Sequence, residues 1–122
     1  MDAKLKILGV DDDVMCRNSL NNFSKKMPNI ECTLADNGKS AIQFATDTKF
    51  DIIFMDLFMP DKNGYETTEE IRKLENGKDV HIIALSGDEV PEEDLKKFGF
   101  NAFVQKPMGK KVFESHINGF KK

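Results

Sequence analysis

The sequence contains no tryptophan, two cysteines and four prolines, and it has no apolar run approaching the about 20 residues that a membrane-spanning helix needs. Cys16 and Cys32 are too few for a disulfide framework, and both lie inside apolar patterns typical of reduced thiols in an intracellular core. The first residues, MDAKLK, carry no signal-peptide pattern. We therefore expect a cytoplasmic protein without a membrane segment.

The sequence also has no excess of positive charge. A formal net charge of −3 argues against a nucleic-acid binder, which would carry a basic surface. At 122 residues the chain is long enough to bury roughly two thirds of its unfolded surface, so we expect one domain over residues 1–122. The basic residues near the end of the chain indicate a solvated helix end: Lys106, Lys110, Lys111, Lys121 and Lys122.

Apolar strands alternate with amphipathic segments along the whole chain. This pattern is typical of an α/β fold in which a parallel sheet carries helices on both faces. The predicted strands are 5–10, 30–35, 52–55, 80–85 and 101–104, with 30–35 at an edge or exposed on one side. The predicted helices are 14–26, a segment after Asn37-Gly38, 65–75, a short helix with Pro91 in its first turn that ends at Gly99, and 112–120.

The helical spacing also predicts which side chains face the core. These are Val14, Met15, Leu20, Phe23 and Met27 in the first helix, Ala41, Ile42, Phe44 and Ala45 in the second, Ile71 and Leu74 in the third, and Val112, Phe113, His116, Ile117 and Phe120 in the last. We place His116 at the rim of its helix face. His81, at the start of a strand, is better explained as a packed or surface residue than as a ligand.

Polar residues follow several of the predicted strands. Asp56 ends the most apolar strand, Asp11, Asp12 and Asp13 follow the first strand, Ser86 follows the fourth and Lys106 the fifth. The carboxyl ends of parallel strands meet in a crevice where open α/β sheets bind ligands. We therefore expect one acidic pocket there, with Asp13 set apart as the cap of the first helix.

Crowded carboxylates at Asp11, Asp12 and Asp56 repel one another by about 4 kcal/mol per close pair at a surface-like dielectric. A hard divalent cation such as Mg²⁺ offsets this repulsion, because it prefers carboxylate, carbonyl and water oxygens. An acidic cluster, an isolated Asp, a strand-end hydroxyl and a strand-end lysine together indicate phosphoryl transfer. The candidate residues beyond the acids are Ser86 and Lys106.

The segments VDDD, MDLFMPDKNG, ALSG and QKP, in this order on βα repeats, resemble the receiver domain of two-component response regulators over residues 5–120. The resemblance implies a doubly wound, flavodoxin-like sheet of five parallel strands in the order 2-1-3-4-5 with five helices. It also implies that Asp56 accepts a phosphoryl group from a phosphohistidine on a kinase or phosphotransfer protein. Such a domain is a signalling switch that promotes its own phosphorylation and slow dephosphorylation, and it is not an enzyme in the usual sense.

Further roles follow from the same resemblance. Asp12, Asp56 and the backbone carbonyl of Phe58 would bind Mg²⁺ directly, with Asp11 acting mostly through water. Ser86 would hydrogen-bond the phosphoryl oxygens and Lys106 would neutralise them, next to a cis Lys106-Pro107 peptide.

Some positions depart from the commoner pattern of that family: Phe58, Ser86, Gly87 and Phe103. Phe58, Gly87 and Asp88 are expected to tune how long the phosphoryl group survives. Ser86 and Phe103 are expected to form the switch that reshapes the face of the fourth helix, fifth strand and fifth helix. The segment from Ser86 to Gly99 is short, which implies a trimmed fourth helix or loop.

The sequence disfavours three alternatives to a phosphoacceptor. A degenerate receiver used as a constitutive docking module would lack the acceptor, the acid pair or the lysine. A hydrolase with an Asp nucleophile would carry a second Asp at position 58, and a flavin carrier would carry a Gly/Ser/Thr loop after Val10. The sequence beyond Lys106 suffices for one more helix, so output is expected to come from another protein or a longer chain.

Overall fold

The structure, a computed structural model, describes residues 4–120. Five parallel strands form one sheet in the predicted order β2-β1-β3-β4-β5. Their bounds are β1 (Leu5–Val10), β2 (Ile30–Ala35), β3 (Ile52–Asp56), β4 (His81–Ser86) and β5 (Ala102–Gln105). The predicted bounds of the last two strands were thus one residue early, and β2 lies at an edge as expected. Lys121 and Lys122 fall outside the described residues.

The helices are α1 (Val14–Lys25), α2 (Gly38–Asp47), α3 (Gly64–Arg72), α4 (Glu92–Phe98) and α5 (Lys110–Phe120). Three of them begin at a polar cap: Asp13 accepts from the Cys16 N–H, Asn37 from the Ser40 N–H, and Asn63 from the Glu66 N–H. The prediction of Asp13 as a cap is therefore confirmed. α4 has seven residues, in keeping with the expected trimming, and Pro91 lies just before it instead of in its first turn.

The sheet separates two layers of core. The helices α2, α3 and α4 pack on one face, where Ile53, Met55 and Ala84 are buried, while α1 and α5 pack on the other. On that second face the Phe54 ring of β3 stacks on Phe113 of α5, with centroids 5.4 Å apart. All five residues of β3 are buried, as predicted for a central strand. No helix within residues 4–120 combines the length and apolar character needed to cross a bilayer.

The third helix ends earlier than the spacing predicted. It stops at Arg72, and a separate 3-10 turn, Glu75–Gly77, follows an extended Leu74. Gly77 packs so tightly on the end of α3 that a Cβ there would overlap the Ile71 carbonyl. The chain therefore leaves the helix before the predicted stop at Asn76-Gly77.

Several side chains predicted to face the core are instead exposed. Val14 and Met15 are 55% and 74% exposed, because the first turn of α1 directly follows the end of β1 and extends past the sheet. Phe44, Val112 and Phe120 are also exposed, because the buried faces of α2 and α5 are narrower than predicted. The side chains that do fill these faces are Ala41, Ala45, Phe113 and Ile117. His116 is half-buried, as expected of a rim residue, and the half-buried His81 ring packs near Phe120.

Candidate functional site

The polar residues at the strand ends converge at one edge of the sheet. Carboxylate oxygens of Asp11, Asp12 and Asp56 all lie within 4.8 Å of one another. The Lys106 ammonium lies 2.8 Å from Asp11 Oδ2 and 3.2 Å from Asp56 Oδ1. This meeting follows from the sheet topology, because β1 and β3 are neighbours and Lys106 directly follows the carboxyl end of β5. The Lys106-Pro107 peptide is cis, as the resemblance implied.

Asp11 is fully buried, and its oxygens are unequally satisfied. Oδ1 accepts a hydrogen bond from the Asp13 N–H at 3.0 Å, and the Asp11 carbonyl accepts one from Arg17 Nη1 at 2.8 Å. Oδ2 faces the Lys106 ammonium but accepts no well-oriented hydrogen bond from any residue in the described range 4–120. The buried Asp11 carboxylate therefore depends on the Lys106 ammonium to offset its charge, and Asp56 shares this same ammonium.

Asp56 is 4% exposed, and its Oδ1 accepts a long hydrogen bond, 3.4 Å, from the Phe58 N–H in addition to its contact with the Lys106 ammonium. Burial, followed by the negative charge of Asp11, raises the pKa of Asp56 to about 7, although Lys106 opposes the shift. Burial by itself would lower the pKa of Lys106, but contact with Asp11 and Asp56 outweighs it and raises that pKa. One ammonium therefore faces two buried carboxylates, and the site keeps an excess of negative charge.

The donor set fits a hard divalent cation. Asp12 is exposed and adds a third carboxylate to the two buried ones, and oxygen ligands of this kind suit Mg²⁺. Asp13 is not part of this group, because its side chain turns back to cap α1. Phe58, whose carbonyl was predicted to be a ligand, follows Asp56 by two residues at the rim of the site.

Ser86 is buried at the end of β4, on the strand next to Asp56. Its Oγ accepts a hydrogen bond from the Asp88 N–H at 3.1 Å. Gly87 is exposed, and a Cβ added there would meet nothing within 4 Å, which leaves open space beside Asp88. Gln105 of β5 donates to the Gly87 carbonyl at 3.1 Å and ties this loop to the neighbouring strand.

The two phenylalanines singled out in the sequence lie in different surroundings. Phe58 is 59% exposed, and its ring meets Tyr65 of α3 edge to face with centroids 6.5 Å apart. Phe103 is half-buried on β5 and lines a surface groove of about 390 Å³ together with Leu95 and Phe100.

Sequence reasoning missed three contributors to this site. Arg17 supports the Asp11 backbone, and its position one turn into a helix that follows the acids was the available signal. Gly64 lets α3 begin against the strand end, because a Cβ there would overlap the Asp56 carbonyl. Tyr65 joins Phe58 to α4, and no local pattern pointed to it.

The geometry agrees with comparison to known proteins. The family model of the response regulator receiver domain matches residues 7–118, and the chain belongs to this family. In the plant Arabidopsis thaliana, histidine kinase CKI1 is 35% identical over 121 residues, a match that spans 84% of this chain and 11% of that protein. The chain spans no more than half the length of the first curated relatives that it matches.

Two solved structures share the fold closely. The receiver domain of sensor histidine kinase PA1611 from Pseudomonas aeruginosa, with a magnesium ion coordinated in its active site cleft, has a TM-score of 0.87 and 28% identity and covers 97% of this chain and 98% of its own. The complex of the Saccharomyces cerevisiae histidine phosphotransfer protein Ypd1 with the receiver domain of Ssk1 gives a TM-score of 0.87 and 26% identity over 98% of this chain and 90% of that one. The chain is therefore a receiver domain of two-component signalling.

Proposed function

We propose that the protein is a phosphoacceptor switch of a two-component phosphorelay, with Asp56 as the acceptor. The observation that carries this proposal is the buried Asp56 carboxylate, which has two further carboxylates within 4.8 Å and an ammonium at 3.2 Å. A single buried carboxylate with a structural role would be balanced by one positive charge. A cluster with excess negative charge and one lysine has the composition needed to bind a cation and then a phosphoryl group.

In the proposed reaction an Asp56 carboxylate oxygen attacks the phosphorus of a phosphohistidine. The new P–O bond forms as the P–N bond breaks, and the departing imidazole nitrogen takes a proton. Lys106 stays within ion-pair distance of Asp56 and neutralises charge on the transferred group. The Ser86 hydroxyl, now an acceptor for the Asp88 N–H, donates to a phosphoryl oxygen.

Mg²⁺ is the proposed cofactor, held by Asp12, Asp56 and the Phe58 carbonyl, with Asp11 acting mostly through water. When bound, it shields the negative charge of the acids and of the incoming phosphoryl oxygens. The acidic cluster supports this assignment, as does the magnesium ion in the related receiver of the kinase PA1611. The chain's own contribution is to hold the carboxylates in place on β1 and β3.

The proposed output is a change of the face formed by α4, β5 and α5. Moving the Ser86 hydroxyl onto the phosphoryl group frees space that the Phe103 ring can enter. Phe103 has no hydroxyl to anchor it in either position, so we expect a modest bias between the two states. Phe58, Gly87 and Asp88 would set the lifetime of the phosphoryl group, since they surround the approach of water to Asp56.

The proposed phosphoryl donor is a histidine kinase or a histidine phosphotransfer protein, and the proposed output partner is a downstream protein. The complex of Ypd1 with a related receiver supports the first part of this proposal. We propose that residues 1–122 form a single receiver domain that acts in the cytoplasm, without binding nucleic acid or membrane. The alternative, a degenerate receiver that serves as a constitutive docking module, is disfavoured because the acceptor, the acids and the lysine are all present.

The test is to incubate the protein with a small-molecule phosphodonor and Mg²⁺ and to follow intact mass. We expect one acid-labile phosphate, no uptake in excess chelator, and none in Asp56→Asn. Asp13→Asn is the matched control, because Asp13 caps α1 and asparagine is an equally good cap. Uptake by Asp56→Asn, or equal loss in Asp12→Asn and Asp13→Asn, would contradict the assignment of these residues.

A further inference from the structure

A chain of aromatic rings leads from the acceptor to α4. It begins at Phe58, whose N–H faces Asp56 Oδ1 at 3.4 Å and whose ring meets Tyr65 edge to face at 6.5 Å. Tyr65 in turn packs on Phe98, the last residue of α4, with centroids 4.9 Å apart, and meets Phe100 edge to face at 6.0 Å. Offset and edge-to-face pairs at these distances are favourable aromatic contacts.

The first ring of the series, Phe58, is loosely packed, whereas the backbone of the second, Tyr65, is anchored. Phe58 is 59% exposed, and Tyr65 is the only ring that it contacts among the described residues. Tyr65 directly follows Gly64, whose N–H donates to the Leu57 carbonyl at 2.9 Å. The backbone of Tyr65 is therefore held against the end of β3, and a displacement of the Phe58 ring must be absorbed by the side chain of Tyr65.

The far end of the chain of rings is a weakly held helix. α4 has seven residues, and Pro91 at its N-cap supplies no side-chain hydrogen bond. Leu95 and the half-buried Phe98 are its packing anchors, and Phe98 is also the residue that Tyr65 touches. Short helices with few buried contacts unfold locally at low free-energy cost. A change in the packing of Phe98 therefore alters the stability of the whole of α4.

Occupation of the acidic site acts on the first ring directly. A phosphoryl group on Asp56 changes what the Phe58 N–H can donate to, since the carboxylate oxygen that accepts it becomes part of a larger anion. A backbone shift at Phe58 carries its ring with it, because both are attached to the same Cα.

We infer that Tyr65 is a coupling residue, which transmits occupation of the Asp56 site from the Phe58 ring to Phe98 on α4. This route is separate from the Ser86 and Phe103 pair, because it reaches α4 through α3 instead of through β5. The inference rests on the proposed function, since it names how that same site regulates its output. Its effect is a phosphorylation-dependent change in the stability of α4.

The composition of the chain provides a direct probe. Tyr65 is the only tyrosine and there is no tryptophan, so the tyrosine emission of the whole protein reports this one side chain. The probe ligand is beryllium fluoride with Mg²⁺, which occupies a carboxylate in the geometry of a phosphoryl group. We expect the emission to change on binding and amide hydrogen exchange in α4 to change by on the order of fivefold, the lower end of allosteric coupling.

Variants distinguish phosphate uptake, the change at Tyr65 and the response of α4 from one another. Tyr65→Ala should still take up one phosphate by intact mass but lose the α4 response, and Tyr65→Phe, which keeps the ring, should recover it. Phe98→Leu should keep the emission change and lose the α4 response. Phe44→Ala is the matched control, an exposed aromatic on α2 outside this chain of rings, and it should keep both responses.

The outcomes distinguish this inference from the proposed function. Phosphate uptake with a full α4 response in Tyr65→Ala would overturn the coupling role and leave the phosphoacceptor assignment intact. Failure of the wild-type protein to take up phosphate would overturn both. An α4 response that Tyr65→Phe fails to restore would show that the ring contacts do not carry the signal.

Discussion

Two charged clusters lie at opposite ends of the strands, and they differ in how their charges and hydrogen-bonding groups are paired. At the carboxyl edge, two buried carboxylates share one ammonium, and a third carboxylate is close by. Near the amino ends of β4 and β5, the Arg72 guanidinium meets neutral oxygens. Its hydrogen bonds go to the Gly99, Gly77, Lys78 and Val80 carbonyls and to Asn101 Oδ1.

The Arg72 cluster joins elements that are distant in sequence. Nη2 lies 2.6 Å from the Gly99 carbonyl after α4, and Nη1 lies 2.7 Å from the Val80 carbonyl before β4. Asn101 Oδ1 also accepts from the Ile82 N–H at 2.8 Å, which extends the network into the sheet. Every donor group of this guanidinium has a partner, so the cluster contributes stability, whereas the acidic cluster holds unbalanced negative charge at a cost to stability.

Asp56→Asn should have the largest effect, because it removes phosphate uptake completely while making the fold more stable. With chelator at pH 8, an ionised Asp56 is repelled by Asp11, and its pKa of about 7 lies above the ordinary value for Asp. A group with a raised carboxyl pKa stabilises the fold at low pH and loses that contribution as the pH rises through about 7. Urea unfolding should show a gain on the order of 1–3 kcal/mol.

This gain should shrink at pH 5, where Asp56 is protonated in the folded protein. A loss of stability in Asp56→Asn at pH 8 would show that the ion pair between Asp56 and Lys106 outweighs the repulsion between Asp56 and Asp11. The acidic cluster would then stabilise the fold, as the Arg72 cluster does.

Arg72→Ala should show the reverse behaviour, with lower stability and preserved uptake. Several carbonyl oxygens lose charge-assisted hydrogen bonds, so the free energy of unfolding should fall by about 3 kcal/mol. Arg72→Lys is the matched control and should recover part of the loss, since one ammonium cannot reach all of these oxygens. Uptake measured well below the unfolding temperature should match the wild type, and a specific loss of uptake would tie this edge to the acidic one.

Phe58→Asn should shorten the lifetime of the phosphoryl group. The exposed Phe58 ring, two residues after Asp56, cannot hydrogen-bond a water, and an amide at this position can orient one. Full positioning and acid-base help are worth about 10²- to 10⁴-fold, and an amide supplies only a fraction of that help, so we expect the decay to be several-fold faster. The measurement is the decay of the phosphorylated protein, followed by intact mass at constant Mg²⁺. An unchanged or slower decay in Phe58→Asn would contradict a role of Phe58 in the lifetime.

The smallest effect concerns His81, which lies at the start of β4 near the Arg72 cluster. Burial, then the nearby His116 and Arg72, lowers the pKa of His81 below its usual 6.5. As the pH falls through 6.5, the unfolded chain takes up this proton first, so stability drops toward the lower folded pKa. Measured in the Asp56→Asn background, where the opposite pH dependence of Asp56 is absent, His81→Gln should flatten the decline in melting temperature between pH 7.5 and 5.5, and an unchanged slope would assign the decline to other groups.

Local sequence determined the elements and the chemistry of the acidic edge. Strand periodicity, the helix cap Asp13 and the polar residues after several of the strands were all predicted, because each depends on neighbours within a few residues. The meeting of Asp56 with Asp11 and Lys106 also followed, since parallel strands leave only one edge for their carboxyl ends.

Only the tertiary structure decided which apolar residues the core receives and how distant polar groups are paired. The exposure of Val14 and Met15 depends on where α1 stands relative to the end of β1, and spacing along a helix does not contain that position. The Arg72 network joins residues up to 29 apart, and the Phe58 ring is linked to α4 through Tyr65. Local patterns do not specify such contacts, because these contacts arise from the packing of one helix against the next.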